Sequence, residues 1–225
     1  MEILRFSQAD VGKRLVRWKD LKPIEDHAGR TGDVSEATRK AAISQSVYGL
    51  TSPTGGGARN FWDSGAVSAG VPNFGAVYVT ARAGEGASWH VHRFSFENFI
   101  AMKGRWRIFW NDPDCEEHVD LDPFDMVSIP PGAIRRFEYI GEDEGLMLAF
   151  AYAAEHALTL PFETFLPWCE IERLERVGEA KGGEQAAYAA SMRAVAVEAY
   201  ASETEEDRAF TRSIEAYVAG ETVAR

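Results

Sequence analysis

Two histidines and a glutamate at short spacing form the part of the sequence best suited to chemistry. His90 and His92 are separated by one residue, and Glu97 follows five residues later. Side chains alternate between the faces of a strand, so both histidines would point the same way. A bend after His92 would return the chain antiparallel and bring Glu97 beside the imidazoles. Two imidazoles and a carboxylate can hold a divalent metal as the facial triad of non-haem Fe(II) oxygenases does, with other coordination positions left open.

The residues around this group predict the strands that would position it. Short segments rich in β-branched and aromatic residues follow one another between Gly, Pro and Asp clusters. They are AVYVTARA, ENFIAMKG, RWRIFW, DMVSIP, RRFEYI and LMLAFAYA. Repeated short strands with turn signals between them predict an antiparallel sandwich or barrel, which we place at residues 71–160. The acidic stretch DPDCEEHVDLD, which contains His118, is interpreted as a solvated hairpin loop rather than a cation site.

The two flanks differ from this central region. Residues 1–70 are expected to form an N-terminal arm packing on the barrel, with a short helix starting at the capping-box spacing of Asp33 and Glu36. Residues 161–225 are expected to form an acidic helical extension, with Pro167 at the first position of its first helix. The apolar positions at helical spacing are Trp168, Ile171 and Leu174, then Tyr188, Met192, Val195 and Ala199, then Phe210, Ile214, Tyr217 and Val218, and the last four are expected to be buried by the third helix.

The overall composition excludes several classes of function. The chain has 225 residues, is 45% hydrophobic and has a formal net charge of −11 with a pI near 5.0. Phosphate contacts need clustered Lys and Arg, so nucleic-acid and anionic-membrane binding are not expected. The first ten residues lack the pattern of a signal peptide, and no apolar run approaches the roughly 20 residues that cross a bilayer. We expect a cytoplasmic protein.

The histidine region resembles a known sequence motif. Gly84–Gly104 has a glycine at each end, with five residues between Gly84 and His90 and six between Glu97 and Gly104. This pattern is similar to the first motif of the cupin superfamily at every defining position. Cupins are small antiparallel jelly-roll β-barrels, so the resemblance implies a mainly β fold of that type. It also implies that His90, His92 and Glu97 bind a divalent metal ion, with Fe(II) expected first and Zn, Mn or Ni as alternatives.

The second cupin motif is only half present. In VSIPPGAIRRFEYI, the turn at Pro130–Gly132 matches the motif, but Arg135 stands where the family has its third metal-binding histidine. Tyr139 stands at the position of the family's asparagine, and Phe124 at that of a glycine before the turn. If the family register holds, strand alternation directs Arg135 into the barrel beside the metal ligands.

Arg135 cannot replace the missing histidine, because a guanidinium stays protonated and offers only donors. Two interpretations stay open. In the first, three ligands still hold a metal, and Arg135 binds the carboxylate of a substrate in a bidentate fashion. In the second, Arg135 pairs with Glu97 and replaces the metal. The first is favoured because protonated histidines would repel a guanidinium at the same site.

These observations predict a metal-dependent enzyme, most simply an Fe(II) oxygenase acting on a small organic acid. Arg135 would orient the anionic substrate, and Tyr139 is a candidate catalytic residue through its hydroxyl, with core packing as its alternative. The other hypotheses are a Zn, Mn or Ni isomerase or lyase, and a non-catalytic ligand-binding cupin closed by an Arg135–Glu97 pair. Phe99 and Phe137 are expected to pack in the core. Cupins commonly pair through their sheets, so the resemblance also implies a homodimer.

Overall fold

The computed structural model describes residues 3, 5–24, 44–53, 68, 70–153 and 163–220. The strands in these ranges are β1 (Ser46–Thr51), β2 (Phe74–Ala81), β3 (Gly86–His92), β4 (Ser95–Lys103), β5 (Trp106–Trp110), β6 (Glu117–Leu121), β7 (Met126–Ile129), β8 (Ile134–Tyr139), β9 (Gly145–Ala153) and β10 (Thr164–Phe165). The α-helices are α1 (Gln8–Gly12), α2 (Trp168–Lys181), α3 (Glu184–Ala201) and α4 (Glu205–Val218). All six predicted strand segments are confirmed, as β2, β4, β5, β7, β8 and β9.

The strands form two antiparallel sheets of five strands each. One has the order β1-β2-β9-β4-β7 and the other β10-β3-β8-β5-β6. The eight strands from β2 to β9 divide equally between the two sheets, and most consecutive strands cross from one sheet to the other. This arrangement is the jelly roll, the architecture to which cupins belong. The predicted mainly β fold with C-terminal helices is therefore confirmed.

The core lies between the two sheets because the inward positions along the strands are mostly apolar. Burial in β4 alternates residue by residue, with Phe99 and Ala101 fully buried and Ile100 between them only partly so. The rings of Phe99 and Phe137 lie 5.4 Å apart across the barrel, so both pack in the core as predicted. At about 25 cal/mol per Å² of apolar surface, this buried interior is the main stabilising term that holds the sheets together.

Strand β6 lies in the acidic stretch that we interpreted as a loop, so that interpretation is wrong. Glu117–Leu121 pairs with β5 along its whole length. The strand is hard to recognise because it is an edge strand, and charged residues on its solvated side hide the alternation. Arg107 on β5 makes a bidentate ion pair with Asp120 of β6. Its Nε and Nη2 atoms donate to the two carboxylate oxygens at 2.6 and 2.9 Å. His118 is exposed, as predicted.

The N-terminal region contributes a strand to the barrel. β1 pairs with β2, and Trp18 packs its ring 5.1 Å from Tyr48 and 5.7 Å from Tyr78. The backbone N–H of Ile24 donates to the carbonyl oxygen of Val47, which ties the preceding segment to β1. The helix predicted at Asp33 lies outside the described residues.

The C-terminal helices appear where the apolar spacing placed them, with two differences. Pro167 is the N-cap of α2 rather than its first residue. In α4, Tyr217 and Val218 are 65% and 62% exposed, so the prediction that this helix buries them is wrong. Helix α4 instead contacts the barrel through its other residues, with the ring of Phe210 6.0 Å from that of Phe94. None of the helices in the described ranges is long and apolar enough to cross a bilayer.

Candidate metal centre

The fold brings the three predicted metal ligands together inside the barrel. His90 and His92 lie on β3, and Glu97 lies on β4 after a short turn. The Nε2 atoms of His90 and His92 are 3.4 and 3.3 Å from the Oε2 atom of Glu97. The three potential ligand atoms all lie within 4.8 Å of one another, so the group can hold a metal ion. The predicted convergence of two imidazoles and one carboxylate is therefore present in the structure.

The glycine at the end of the motif is required for a physical reason. Gly104 has a φ of +72°, a left-handed conformation that costs other residues about 1 kcal/mol or more. A Cβ atom at this position would also lie 2.3 Å from the hydroxyl oxygen of Tyr139. Only glycine satisfies both constraints, and the resulting tight turn lets β4 end and β5 begin on the opposite sheet. The motif thus encodes the backbone path as well as the ligands.

The hydrogen bonding of His90 leaves a lone pair facing Glu97. The Nδ1 atom of His90 is 2.8 Å from the carbonyl oxygen of Ser88, which can only accept, so Nδ1 carries the hydrogen. In the neutral ring, Nε2 then presents a lone pair to the carboxylate oxygen of Glu97 at 3.4 Å. Two electron-rich atoms at this distance need a cation or a proton between them. The donor set, two imidazole nitrogens and a carboxylate oxygen, therefore fits a divalent metal ion.

The two histidines differ in their electrostatic surroundings. Burial lowers the pKa of His90, and its contact with Glu97 offsets this only in part. Burial is also the largest single influence on His92 and acts to lower its pKa, but the charge of Glu97 and the hydrogen bonding to Glu163 and Glu97 together outweigh it, so the pKa is raised. For Glu97, burial acts to raise the pKa, yet His92 and His90 outweigh it and hold the pKa well below its usual value. Glu97 is thus a carboxylate, the protonation state that a metal requires.

Arg135 lies directly opposite His90 on the neighbouring strand, because β3 and β8 pair in that register. Its side chain is fully buried, and Nη1 donates to the carbonyl oxygen of Ala133 at 2.7 Å. The Nε atom is 3.2 Å from Oε2 of Glu97, which is ion-pair distance but not hydrogen-bond geometry. Within the described residues, Nε and Nη2 have no hydrogen-bond partner. Burial lowers the pKa of Arg135, and the charges of Glu97 and Glu163 counteract it.

Two further residues next to the site were missed by the sequence prediction. Glu163 immediately precedes the short strand β10 and Thr164 is its first residue; β10 pairs with β3 so that Thr164 lies opposite His92. The hydroxyl oxygen of Thr164 is 3.0 Å from Nδ1 of His92, and Oε1 of Glu163 is 3.6 Å from the same nitrogen. A two-residue strand leaves no periodic pattern in a sequence. Nothing in the local pattern therefore indicates that this dipeptide returns to the barrel.

Tyr139, which we predicted as a candidate catalytic residue, lies at the far end of β8 from Arg135. The two lie four positions apart along the strand, or roughly 13 Å at about 3.3 Å per position. The Tyr139 ring packs against Trp106, with centroids 5.1 Å apart, and its hydroxyl fills space beside Gly104 and Gly141. The structure does not bring this hydroxyl to the histidines. We therefore assign Tyr139 to the core, which was the alternative interpretation.

Comparisons with known proteins find likenesses of fold only. No protein-family model and no curated protein matches the sequence. Among solved structures, the chain is similar to the Cnp3 cupin domain of Schizosaccharomyces pombe, with 12% identity, a TM-score of 0.37 and coverage of 50% of this chain. It is also similar to a cupin 2 conserved barrel domain protein from Salinispora arenicola, with 21% identity, a TM-score of 0.33, and coverage of 39% of this chain and 68% of that one.

A third similar structure is a predicted oxalate decarboxylase from Thermotoga maritima, with 18% identity, a TM-score of 0.32, and coverage of 35% of this chain and 65% of that one. The match covers 63% of the S. pombe chain, so this chain spans less than two thirds of that structure's length. These distant likenesses say nothing about activity. The strand order and the His-His-Glu group of the chain itself define its class, a cupin-type jelly-roll barrel with a candidate metal centre.

Proposed function

We propose that the protein is a metal-dependent cupin enzyme, an Fe(II) oxygenase that acts on a small organic acid. His90, His92 and Glu97 would hold the metal, because they offer three ligand atoms within 4.8 Å of one another. The class of substrate is inferred from Arg135. Two nitrogens of this buried guanidinium have no hydrogen-bond partner in the described part of the chain. An unpaired buried donor costs about 1–3 kcal/mol, and a bound carboxylate would remove that cost.

The side chains around the group define how a substrate would bind. The exposed fraction of the side chain is 13% for His90, 7% for Glu97 and 4% for His92, so access is from the His90 side. Arg135 would anchor the substrate carboxylate and fix its orientation. When bound, Fe(II) supplies redox chemistry with O₂, whereas Zn, Mn or Ni supplies Lewis acidity.

The experiment that tests this proposal measures metal content and then oxygen uptake. Protein purified without chelators should contain near-stoichiometric metal by elemental analysis, and a Glu97→Ala variant should contain none. Protein loaded anaerobically with Fe(II) should then consume O₂ in the presence of at least one acid from a panel of small mono- and dicarboxylic acids. Arg135→Gln should retain the metal and lose the acid-dependent uptake, which separates the role of Arg135 from that of the ligands.

A metal-dependent isomerase or lyase uses the same residues with a different ion. It is supported if the metal is Zn, Mn or Ni, and if the iron-loaded protein consumes no O₂ with any acid of the panel. Product analysis by NMR with the native metal in place would then identify rearranged or cleaved acids. This outcome would overturn the oxygenase but leave the metal centre and the role of Arg135 in place.

A non-catalytic binding protein is supported by a different observation, the distance of 3.2 Å between Nε of Arg135 and Oε2 of Glu97. In this alternative the guanidinium supplies the positive charge that a metal would otherwise provide. A complete absence of metal after chelator-free purification, and no uptake of added Fe²⁺, Zn²⁺, Mn²⁺ or Ni²⁺, would favour it. The same protein should then still bind small carboxylic acids in a calorimetric titration.

We also propose that the protein forms a homodimer through the outer face of the sheet that contains β4 and β9. An antiparallel sheet that faces water usually carries polar residues on that face. The outward positions of these two central strands carry no charge: Phe96, Asn98, Ile100, Met102, Leu146, Leu148, Phe150 and Tyr152. Two chains with a net charge of −11 each repel one another, so an uncharged face is the surface best suited to a second copy.

Light scattering tests this assembly. The protein should have the mass of a dimer at micromolar concentration, and Leu148→Glu should produce a folded monomer because it places two like charges at the centre of the interface. The matched control is Glu179→Leu on the exposed side of α2, which should remain a dimer. A monomer mass for the unmodified protein across the micromolar range would overturn the dimer without affecting the metal centre.

A further inference from the structure

Glu163 is a buried acid supplied by the C-terminal extension rather than by the eight central strands. Only 2% of the residue is exposed, and it immediately precedes β10. Within the described residues, no lysine or arginine lies within ion-pair distance of its carboxylate, and His92 is the one base that does. A buried carboxylate without a cationic partner is destabilising unless hydrogen bonds compensate it. Its position beside a metal-ligand histidine therefore needs an explanation.

The polar atoms of Glu163 hold the turn between the two ligand-bearing strands. The backbone N–H of Arg93 donates to the carbonyl oxygen of Glu163 at 2.8 Å. The backbone N–H of Phe94 donates to Oε2 at 3.0 Å, and the hydroxyl of Ser95 donates to Oε1. These three residues are the whole connection from His92 to the second residue of β4. Glu163 thus fixes the path by which Glu97 returns to the histidines.

The same carboxylate also faces the ring of His92. Its Oε1 atom is 3.6 Å from Nδ1, and the hydroxyl oxygen of Thr164 is 3.0 Å from that nitrogen. A negative charge on this side favours the tautomer with hydrogen on Nδ1, with the Thr164 hydroxyl as its acceptor. The lone pair is then on Nε2, the atom that faces Glu97. Metal-binding histidines are commonly oriented in this way by a carboxylate or another acceptor behind the ring.

We infer that Glu163 is a positioning residue of the metal centre: it fixes the tautomer of His92 and the turn that joins His92 to Glu97. The inference rests on the metal-binding part of the proposed function. It makes the C-terminal extension a component of the site, since Glu163 and Thr164, at the start of β10, orient one of the ligands. The extension contacts this turn a second time, because the guanidinium of Arg93 donates to the carbonyl oxygen of Ala199 near the end of α3.

The test is Zn²⁺ affinity measured by competition with a chromophoric chelator, with Glu163→Gln compared to the unmodified protein. Glutamine has the same size and keeps one acceptor oxygen, but it removes the charge behind His92. Loss of such a partner typically weakens metal binding by about 10- to 100-fold. We expect that loss, together with a shift in the visible absorption of Co²⁺ bound in the site. A purely structural role would leave both the affinity of the folded protein and this spectrum unchanged.

The matched control is Glu170→Gln, at the other almost fully buried acid of the extension, which is paired with Arg173 on α2. It should lower stability and leave Zn²⁺ affinity unchanged. Thr164→Val provides a second variant that removes only the hydroxyl, and it carries the test if Glu163→Gln does not fold. Unmodified affinity in whichever of these two variants is folded overturns the inference alone. An unmodified protein that binds no Zn²⁺ overturns the inference and the proposed metal centre together.

Discussion

Two pairs of consecutive strands build the candidate site, and they differ in what they keep from the cupin pattern. β3 and β4 carry His90, His92 and Glu97, with glycine at both ends of the motif. β7 and β8 carry Arg135 in place of a histidine and are preceded by Phe124 in place of a glycine. Phe124 nevertheless has a φ of +77°, close to the +72° of Gly104. The second pair therefore keeps the backbone path and changes the chemistry.

The comparison shows that backbone conformation and site chemistry are separable in this barrel. The turn before β7 holds a phenylalanine in a left-handed conformation, and 79% of this residue is exposed, so only its backbone conformation matters to the turn. The inward position on β8 accepts an arginine because Glu97 lies 3.2 Å away and supplies a countercharge. The barrel thus tolerates a change of ligand where the neighbouring charge can compensate it. The following predictions test that separation, starting with the largest expected effect.

Glu97→Ala should be the most destabilising single change in the site. It removes the countercharge of a fully buried guanidinium, and breaking a buried ion pair in this way costs about 3–5 kcal/mol. Urea unfolding of metal-free protein measures the change in the free energy of unfolding. Adding Arg135→Met to this variant should recover most of the loss, because an apolar side chain needs no countercharge. A Glu97→Ala variant as stable as the unmodified protein would show that the two side chains are not coupled.

Arg135→His restores the metal-binding histidine of the second cupin motif, and it should strengthen metal binding and weaken carboxylate binding. A third imidazole adds a metal ligand, so Zn²⁺ affinity should rise in chelator competition. A charged hydrogen bond is worth about 1.5–3 kcal/mol, so binding of a small carboxylate such as malonate should weaken by roughly 10- to 150-fold in calorimetry. Arg105→His is the control, since Arg105 is more than half exposed and its variant should change neither measurement. Unchanged malonate binding in Arg135→His would remove Arg135 from the substrate site.

The sequence predicted the first strand pair well because its constraints are local. Strand alternation, the bounding glycines and the short turn together determine where His90, His92 and Glu97 lie. The second pair was predicted only in part, since alternation gives the direction of Arg135 but not its distance from Glu97. Tyr139 was given a catalytic role because alternation says which face a residue occupies, but not how far along the barrel it lies. Glu163 was missed because its contact with His92 spans 71 residues and leaves no local pattern.

Phe124→Gly should stabilise the protein by about 0.5–1 kcal/mol. A left-handed conformation costs a residue with a side chain about 1–2 kcal/mol, and the greater freedom of glycine in the unfolded chain offsets part of that gain. The Tm of a domain of this size shifts by about 2–4 °C per kcal/mol, so calorimetry should show a rise in Tm of a few degrees. Metal affinity should not change, since Phe124 contributes only a conformation to the turn.

Gly132→Ala is the opposite change at a similar turn and should destabilise by about 1–2 kcal/mol. Gly132 has a φ of +79°, and the atom nearest to an added Cβ is Cγ2 of Thr211 at an ordinary 3.9 Å. The loss would therefore come from backbone conformation and not from a clash. If both variants were neutral, the turn conformations would not limit the stability of the second strand pair.

Tyr139→Phe should have the smallest effect, and it separates the two interpretations of this residue. The Tyr139 ring packs against Trp106, and its hydroxyl lies beside Gly104 and Gly141 at the far end of β8 from Arg135. Removing one hydroxyl there keeps the ring and its apolar contacts, so the free energy of unfolding should change by less than about 1 kcal/mol. Zn²⁺ affinity and any acid-dependent turnover should stay within twofold of the unmodified protein, at about 0.4 kcal/mol or less. A large loss of turnover with unchanged stability would show that Tyr139 has a catalytic role. The substrate would then have to contact both Arg135 and Tyr139, at opposite ends of β8.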